Sequence, residues 1–367
     1  MDRTYGFFRF CAMALVFLMA SGSVPAGAEG FPTGSQKSVR PFGAGDRVAF
    51  VGDSITAWGA YCYVVSAFYQ SRFPDREIPF FYHGFGGYTA AAWVRKVDEI
   101  LACKPSVAAI MLGMNDSSYA ALWSLPEGEG KEQKKKKIVL SYRENMDELI
   151  AQLQAGGVER IILIIPTPFD NMDADAKAKV PEYPGKHELM RDVFGGYLRD
   201  KAEREGLDII DLYEPMMRIN EAEQKMDPTF SVNDMNDRIH PLDIGHFIMG
   251  YSFLQAQGLN GSVSEVTIAG DRGAVVRATN SSITELKKSG SGLEWSCLSR
   301  SLPYPKGVQG YRNWQRAKKN NASWALRVPF DRAFNQEVLR VTDLSEGTYT
   351  LKIDGIVVGD YSGKELA

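Results

Sequence analysis

Val48-Ala49-Phe50-Val51 runs directly into Gly52-Asp53-Ser54-Ile55, and the reading of this junction decides the fold. Four consecutive apolar residues form a buried strand, and the glycine, aspartate and serine that follow end it and open a helix. A serine at such a turn projects its hydroxyl from the edge of the sheet, where a histidine delivered by folding can take its proton. The chain offers a matching element far downstream, Asp237-Arg238-Ile239-His240-Pro241. An aspartate three positions before a histidine can reach the far nitrogen of the imidazole within one turn. It would fix the tautomer and stabilise the imidazolium formed when the serine attacks.

Two segments between these ends each lie where a strand should finish. Phe80-Phe81-Tyr82-His83 leads into Gly84-Phe85-Gly86-Gly87-Tyr88-Thr89, and Val107-Ala108-Ala109-Ile110-Met111-Leu112 leads into Gly113-Met114-Asn115-Asp116. They offer what a developing oxyanion needs: a glycine whose backbone N–H can be approached closely, and an asparagine amide that donates without carrying charge. Taken singly, the first is also an ordinary strand-to-helix turn and the second an ordinary Asx-turn. All four elements in this order point to a serine hydrolase.

The four blocks resemble those of the SGNH hydrolases, also called the GDSL esterase and lipase family. The matching residues are Gly52-Asp53-Ser54, Gly86-Gly87, Gly113-Met114-Asn115-Asp116 and Asp237-Arg238-Ile239-His240-Pro241. The resemblance implies an α/β, three-layer, flavodoxin-like domain with a parallel sheet. It further implies that Ser54 is the nucleophile, His240 the general base and then acid, and Asp237 its orienting partner. The oxyanion donors would be the Ser54 backbone N–H, the Gly87 N–H and the Asn115 side-chain amide. One departure is visible: the second block commonly opens with asparagine, whereas this chain has His83. The match covers about the first two-thirds of the mature chain.

At 367 residues the chain exceeds what one core usually supports, so two domains are expected. Hydrophobic residues at 44% and charged residues at 24% are ordinary for a soluble globular protein. A net charge of −3 gives no broad attraction to nucleic acid or anionic membrane. At the amino terminus Arg3 and Arg9 precede the apolar run Cys11 to Ala20, and Ala26-Gly27-Ala28 supplies small residues for cleavage. Residues 1–28 therefore read as an export signal, too short to be a good membrane span, and a secreted or periplasmic protein is expected. Residues 29–45 form an N-terminal segment, 46–260 the hydrolase domain and 261–367 a β-rich accessory domain.

Apolar runs alternate with helix-like stretches from Arg47 to about Gly258, the signature of a parallel sheet with crossover helices. Strands are expected at 47–51, 80–83, 107–112, 160–165 and 208–211, and helices at 58–72, 90–101, 139–154, 187–205 and 244–257. In such open sheets ligands gather outside the carboxyl ends of the strands, where Ser54, Gly87 and Asn115 all fall. Two long connections leave the same edge, Ser117–Lys137 and Pro166–Lys186, and read as walls of a substrate cleft. Lys134 to Lys137, near Glu127, Glu129 and Glu132, reads as a solvated start of a helix rather than an anion contact. Asp170, Asp173 and Asp175 lack the glycine and final glutamate of an EF-hand loop and read as a hydrated acidic turn.

His246 reads as a packed histidine at a helix start, and neither His83 nor His187 makes a metal motif. A mechanism without metal or other cofactor is expected. Cys62, Cys103 and Cys297 remain after the export signal. They allow at most one internal disulfide, for which Cys62 with Cys103 is the pairing within one domain, or three buried free thiols.

Beyond Gly261 the pattern changes to short alternating runs at 263–269, 274–278, 325–328 and 337–341. Thr348 to Ile353, Asp354-Gly355 and Ile356-Val357-Val358 then spell a hairpin. A small all-β sandwich is expected. Trp295, Tyr304, Tyr311, Trp314 and Trp324 are either its core or a sugar-stacking face. The expected activity is release of acetyl or other short acyl groups from carbohydrate, with Trp58, Tyr88 and Tyr119 as candidate substrate contacts. A lipase, an arylesterase, an acyltransferase and a non-catalytic glycan-binding protein on the same scaffold are the alternatives, and fold alone does not choose among them.

Overall fold

The computed structural model describes residues 39–118, 121–169, 183, 185–228, 230–233, 237–259, 261–290, 292–304 and 330–367. They fall into two compact units. The first is built on five parallel strands, β1 (Val48–Gly52), β2 (Phe80–Gly84), β3 (Val107–Met111), β4 (Arg160–Ile165) and β5 (Asp208–Asp211), in the order β2-β1-β3-β4-β5. This is the doubly wound order whose direction reverses at β1, the place where such sheets leave a crevice. The register makes the crevice useful. Val48 pairs with Phe80 and Val107, and Gly52 pairs with Gly84 and Met111, so β2, β1 and β3 end level. Their outgoing turns therefore meet at one edge.

Val48, Ala49, Phe50 and Val51 are fully buried, which explains why β1 reads as a continuous apolar run rather than an alternation. The strand bounds 160–165 and 208–211 agree with the sequence expectation, and the others shift by one residue. The helices depart further. The first expected helix is two, α1 (Ser54–Trp58) and α2 (Ala60–Arg72), parted at Gly59, and the second is also two, α3 (Ala90–Val94) and α4 (Val97–Leu101). Close approach of α1 to β2 depends on Gly84, where a Cβ would lie 2.1 Å from the Ala57 backbone nitrogen.

Helix α5 spans Glu129–Ala155 and so begins ten residues before the expected start, absorbing Lys134 to Lys137. The connection taken as a cleft wall is correspondingly shorter. Glu, Lys and Gln favour the helix without any apolar stripe, and the Lys131 ammonium pairs with Glu127 at 2.5 Å while facing the Trp123 ring. The helix expected at 187–205 is α6 (Lys186–Glu188), a π-helical turn (Leu189–Phe194) and α7 (Gly195–Glu205). An unexpected helix, α8 (Tyr213–Gln224), follows β5, its first turn held by Asp211 Oδ1, which accepts from Tyr213 N–H at 2.9 Å and Glu214 N–H at 3.1 Å. The unit closes with α9 (Asp243–Ala256), on which Phe247 packs against Phe330, itself in ring contact with Tyr304. Tyr304 and Phe330 thus belong to the first unit and not to the accessory region 261–367 in which the sequence places them.

The second unit is mostly β. Strand β6 (Ser262–Ala269) pairs antiparallel with β7 (Ala274–Thr279) and parallel with β10 (Gln336–Thr342), while β8 (Ser281–Ser289) with β9 (Gly292–Ser299) and β11 (Thr348–Ile353) with β12 (Ile356–Ser362) form hairpins. Asp354 and Gly355 both have positive φ, as the tight hairpin turn requires. Short helices at Phe330–Phe334, whose first residue belongs to the first unit, and at Gly363–Leu366 depart from a purely β reading. Trp295 is partly exposed on β9, and the expected strand 325–328 with Tyr311, Trp314 and Trp324 lies outside the described residues. Among the described residues Cys62, Cys103 and Cys297 are all free thiols, but only Cys62 is buried: Cys103 is half-buried and Cys297 exposed, against the expectation of three buried thiols. No described helix is long and apolar enough to cross a membrane.

Candidate active site

Ser54 is the first residue of α1, and the start of that helix is held by Asp53, whose Oδ1 accepts the Ile55 N–H at 2.9 Å. The end of β1 is fixed from the side by the Trp93 indole, which donates to the Gly52 carbonyl at 2.9 Å. The histidine arrives on a pinned loop. Asn233 Nδ2 donates to the Pro168 carbonyl at 2.9 Å and the Arg238 carbonyl at 3.2 Å, and Leu242 N–H donates to the Val232 carbonyl at 2.9 Å. Val232 N–H is in turn held by Asn220 of α8 at 3.0 Å. Arg238 adopts φ 61°, the left-handed region, and the loop folds back so that Asp237 Oδ1 accepts from Ile239 N–H at 2.8 Å and His240 N–H at 3.0 Å.

With the loop so bent, Asp237 Oδ2 lies 2.6 Å from His240 Nδ1, and His240 Nε2 lies 2.7 Å from Ser54 Oγ. Burial alone would raise the Asp237 pKa, but the hydrogen bonds from the His240 ring and the two backbone N–H groups hold it below the ordinary value of 3.8. An ionised Asp237 accepts only, so Nδ1 carries the proton and Nε2 is left to accept from the serine hydroxyl. Trp58 lies flat over His240, ring centroids 4.4 Å apart and 19° from parallel, with 46% of its surface exposed.

The turns after β2 and β3 are fastened to each other. Asn115 Nδ2 donates to the Tyr88 carbonyl at 3.0 Å, and Asp116 Oδ1 accepts the Ala90 N–H at 2.9 Å. Gly113 leads into the second turn at φ 140°, and a Cβ there would lie 3.3 Å from Phe194 of the π-helical turn. Phe194 stacks at 3.9 Å on Tyr142, whose hydroxyl donates to the Leu112 carbonyl at 3.1 Å. Tyr88 packs against Phe85 and Trp93, while Tyr119 lies outside the described residues.

Residues 50–248 match the GDSL-like lipase/acylhydrolase family. The chain belongs to that family. It is similar to BT4096, a gut microbial diltiazem-metabolizing enzyme, with 31% identity, a TM-score of 0.74, and coverage of 90% of this chain and 73% of that one. It also matches LAE5, an alpha/beta hydrolase from the metagenome of Lake Arreo, Spain, at 26% identity and a TM-score of 0.44, covering 59% of this chain and 97% of that one. Axe2, an acetylxylan esterase from Geobacillus stearothermophilus, matches at 22% identity and a TM-score of 0.45, covering 59% of this chain and 96% of that one. No curated protein matches the chain. The protein is a carboxylic ester hydrolase.

In this GDSL-like acylhydrolase the other histidines lie apart from the Ser54, His240 and Asp237 contacts. His246 is buried on α9 against Tyr61, and burial, then the charge of His240, pushes its pKa down to about 3. His83 meets the edge of Trp93, and His187 meets the Tyr213 hydroxyl. Among the described residues no group of three or more His, Cys, Asp and Glu side chains is placed to hold a metal ion.

The sequence reading assigned no role to Asp53 or Asp116, although each adjoins a candidate residue. Burial raises the Asp53 carboxyl to about 6 despite its bond from Ile55 and the charge of His240. Burial raises Asp116 to about 7; the Ala90 bond opposes the rise, and the Asp53 charge adds to it. The folded acylhydrolase therefore binds a proton at Asp116 that the unfolded chain has lost, and between 3.8 and about 7 its stability falls as pH rises. Asp116→Asn cannot ionise. Its stability relative to wild type should improve by about 1–3 kcal/mol between about pH 4.5 and about pH 7.5, measured by urea unfolding at both. A difference independent of pH would mean that the carboxyl is not raised.

Proposed function

We propose that this acylhydrolase is an exported serine esterase that removes acetyl or other short acyl groups from carbohydrate. The observation that carries the chemistry is the unbroken hydrogen-bond chain from Asp237 through His240 to Ser54, at 2.6 Å and 2.7 Å. Ser54 Oγ attacks the ester carbonyl while His240 Nε2 takes its proton, and Asp237 stabilises the imidazolium. The oxyanion is received by the Ser54 N–H, the Gly87 N–H and the Asn115 amide. An amide carries two N–H donors, and Tyr88 occupies one, so Asn115 keeps a second for the oxyanion. His240 then protonates the leaving alcohol, and water, activated by the same imidazole, releases the acid and restores Ser54.

Carbohydrate is supported by the aromatic surface around this chain of residues. Trp58 covers His240 and is 46% exposed, and Phe85, beside Tyr88 and two residues from Gly87, is 57% exposed. Flat, rigid faces that pack at low side-chain entropy cost suit the C–H face of a sugar ring. The apolar run Cys11 to Ala20 behind Arg3 and Arg9 supports export.

The test compares p-nitrophenyl acetate, butyrate and octanoate with an acetylated xylo-oligosaccharide and with diltiazem, the compound named for the similar enzyme BT4096. The acetyl ester is expected to exceed the octanoyl ester by roughly tenfold or more in kcat/KM, with acetate released from the oligosaccharide. Preference for octanoate would make the protein a lipase. Turnover of diltiazem without the oligosaccharide would move the substrate class from carbohydrate to small-molecule esters.

A further inference from the structure

The two hydrogen bonds between the turns after β2 and β3 straddle one residue. Tyr88 accepts from Asn115 at 3.0 Å and Ala90 donates to Asp116 at 2.9 Å, with Thr89 between them. Gly87, at φ 78°, comes immediately before this fastened stretch. The Thr89 hydroxyl caps helix α3 by accepting from Ala92 N–H at 3.3 Å, and the buried Ala90 N–H is left to Asp116. Asp116 is also costly to keep. Its Oδ2 is shut off from solvent and has no hydrogen-bond partner among the described residues, and the Asp53 carboxylate disfavours its ionised form. A buried carboxyl kept at this cost, whose Ala90 bond ties the turn after β3 to the stretch behind Gly87, is placed to set where that stretch lies.

We propose that Asp116 is a positioning residue for the esterase reaction: by holding Ala90 it fixes the Gly87 N–H and the Asn115 amide towards one point. This rests on the reading of Gly87 and Asn115 as oxyanion donors. Asn115 and Asp116 are consecutive, so a single turn after β3 supplies one donor directly and sets the direction of the other through the backbone from Ala90 back to Gly87. If the Ala90 bond is lost, the Tyr88 contact alone leaves the stretch free to pivot. A donor displaced by about 1 Å forfeits most of its transition-state contact and little of the ground-state contact.

The test uses the full chain with p-nitrophenyl acetate and three variants. Asp116→Ala removes the acceptor. Ala90→Pro removes the donor at a first helical position, where proline is accommodated, behind a Thr89 already extended at φ −110° and ψ 172°. Asp116→Asn keeps the acceptor oxygen. Asp116→Ala and Ala90→Pro are each expected to lower kcat about 10- to 100-fold with KM within about threefold, and to lose no more when combined. Asp116→Asn should stay within about threefold of wild type. Wild-type kcat in Asp116→Ala or Ala90→Pro, a loss confined to KM, or an equal loss in Asp116→Asn overturns the proposal. If Asp116→Ala does not fold, the contrast between Ala90→Pro and Asp116→Asn decides. Ser54→Ala in the same series separates this from the site assignment. Activity that survives it overturns both, whereas Ser54-dependent activity with wild-type kcat in Ala90→Pro overturns only the positioning role.

Discussion

Ser54→Ala is expected to lower kcat by about a millionfold while leaving the fold intact. The size of the loss follows from what remains. Without Oγ, His240 has no proton to take, and the two-step route through an acyl-enzyme is closed. Water must attack the ester directly, aided only by the oxyanion donors and by binding, which together leave about 10³–10⁴ over the uncatalysed reaction. Stability should be nearly unchanged because the start of α1 is held by Asp53, not by the serine, and among the described residues the one side-chain bond that Ser54 makes is to His240 at 2.7 Å. Alanine also suits the first turn of a helix. The check is kcat on p-nitrophenyl acetate beside a thermal melt, with a fluorophosphonate probe that forms a covalent adduct at an activated serine. A variant that melts like wild type, keeps more than about a hundredth of its kcat and still takes the probe would place the nucleophile elsewhere.

The same residue shows why so much of the candidate site was legible in the sequence. Ser54, Gly87 and Asn115 each lie within a few positions of a strand end, and β1 and β3, buried throughout, announce themselves as apolar runs. Once β1, β2 and β3 are placed side by side, their turns must converge. The contacts that hold the turns together had no such signal, because Asn115 reaches back 27 residues to Tyr88 and Asp116 reaches back 26 residues to Ala90. Spacing within a helix or strand says nothing about a bond across two loops. The early start of α5 was hidden for a different reason. Residues 129–138 have almost no apolar stripe, and their helix rests on propensity and charge pairing, which hydrophobic periodicity does not register. Strands β8 and β9 were missed likewise, since Thr284, Lys287 and Lys288 are polar and the ladder with Glu294 and Ser296 is visible only after pairing. Arg238 at φ 61° is the most consequential silent feature. Nothing in its identity signals the left-handed turn that lets Asp237 fold back on its own backbone.

That turn gives the second large effect. Asp237→Asn is expected to reduce kcat about 10⁴-fold, with KM little changed, although it alters no more than one atom and a charge. Oδ1 of Asp237 accepts from two backbone N–H groups, at 2.8 Å and 3.0 Å, so in the asparagine variant the carbonyl oxygen must occupy that place. The amide nitrogen then takes the position of Oδ2 and points an N–H at His240 Nδ1, now 2.6 Å from an acceptor in wild type. Two donors cannot face each other, so the imidazole shifts its proton to Nε2 and accepts at Nδ1. Nε2 then donates to Ser54 Oγ instead of accepting from it, and the general base is lost with every heavy atom in place. The distinguishing measurement is the pair of variants Asp237→Asn and Asp237→Ala, assayed for kcat across pH. Alanine leaves the tautomer free to choose and should cost no more than asparagine. A loss in Asp237→Asn of less than about tenfold would mean that the backbone bonds do not orient the amide, and that the aspartate matters for position rather than for which nitrogen holds the proton.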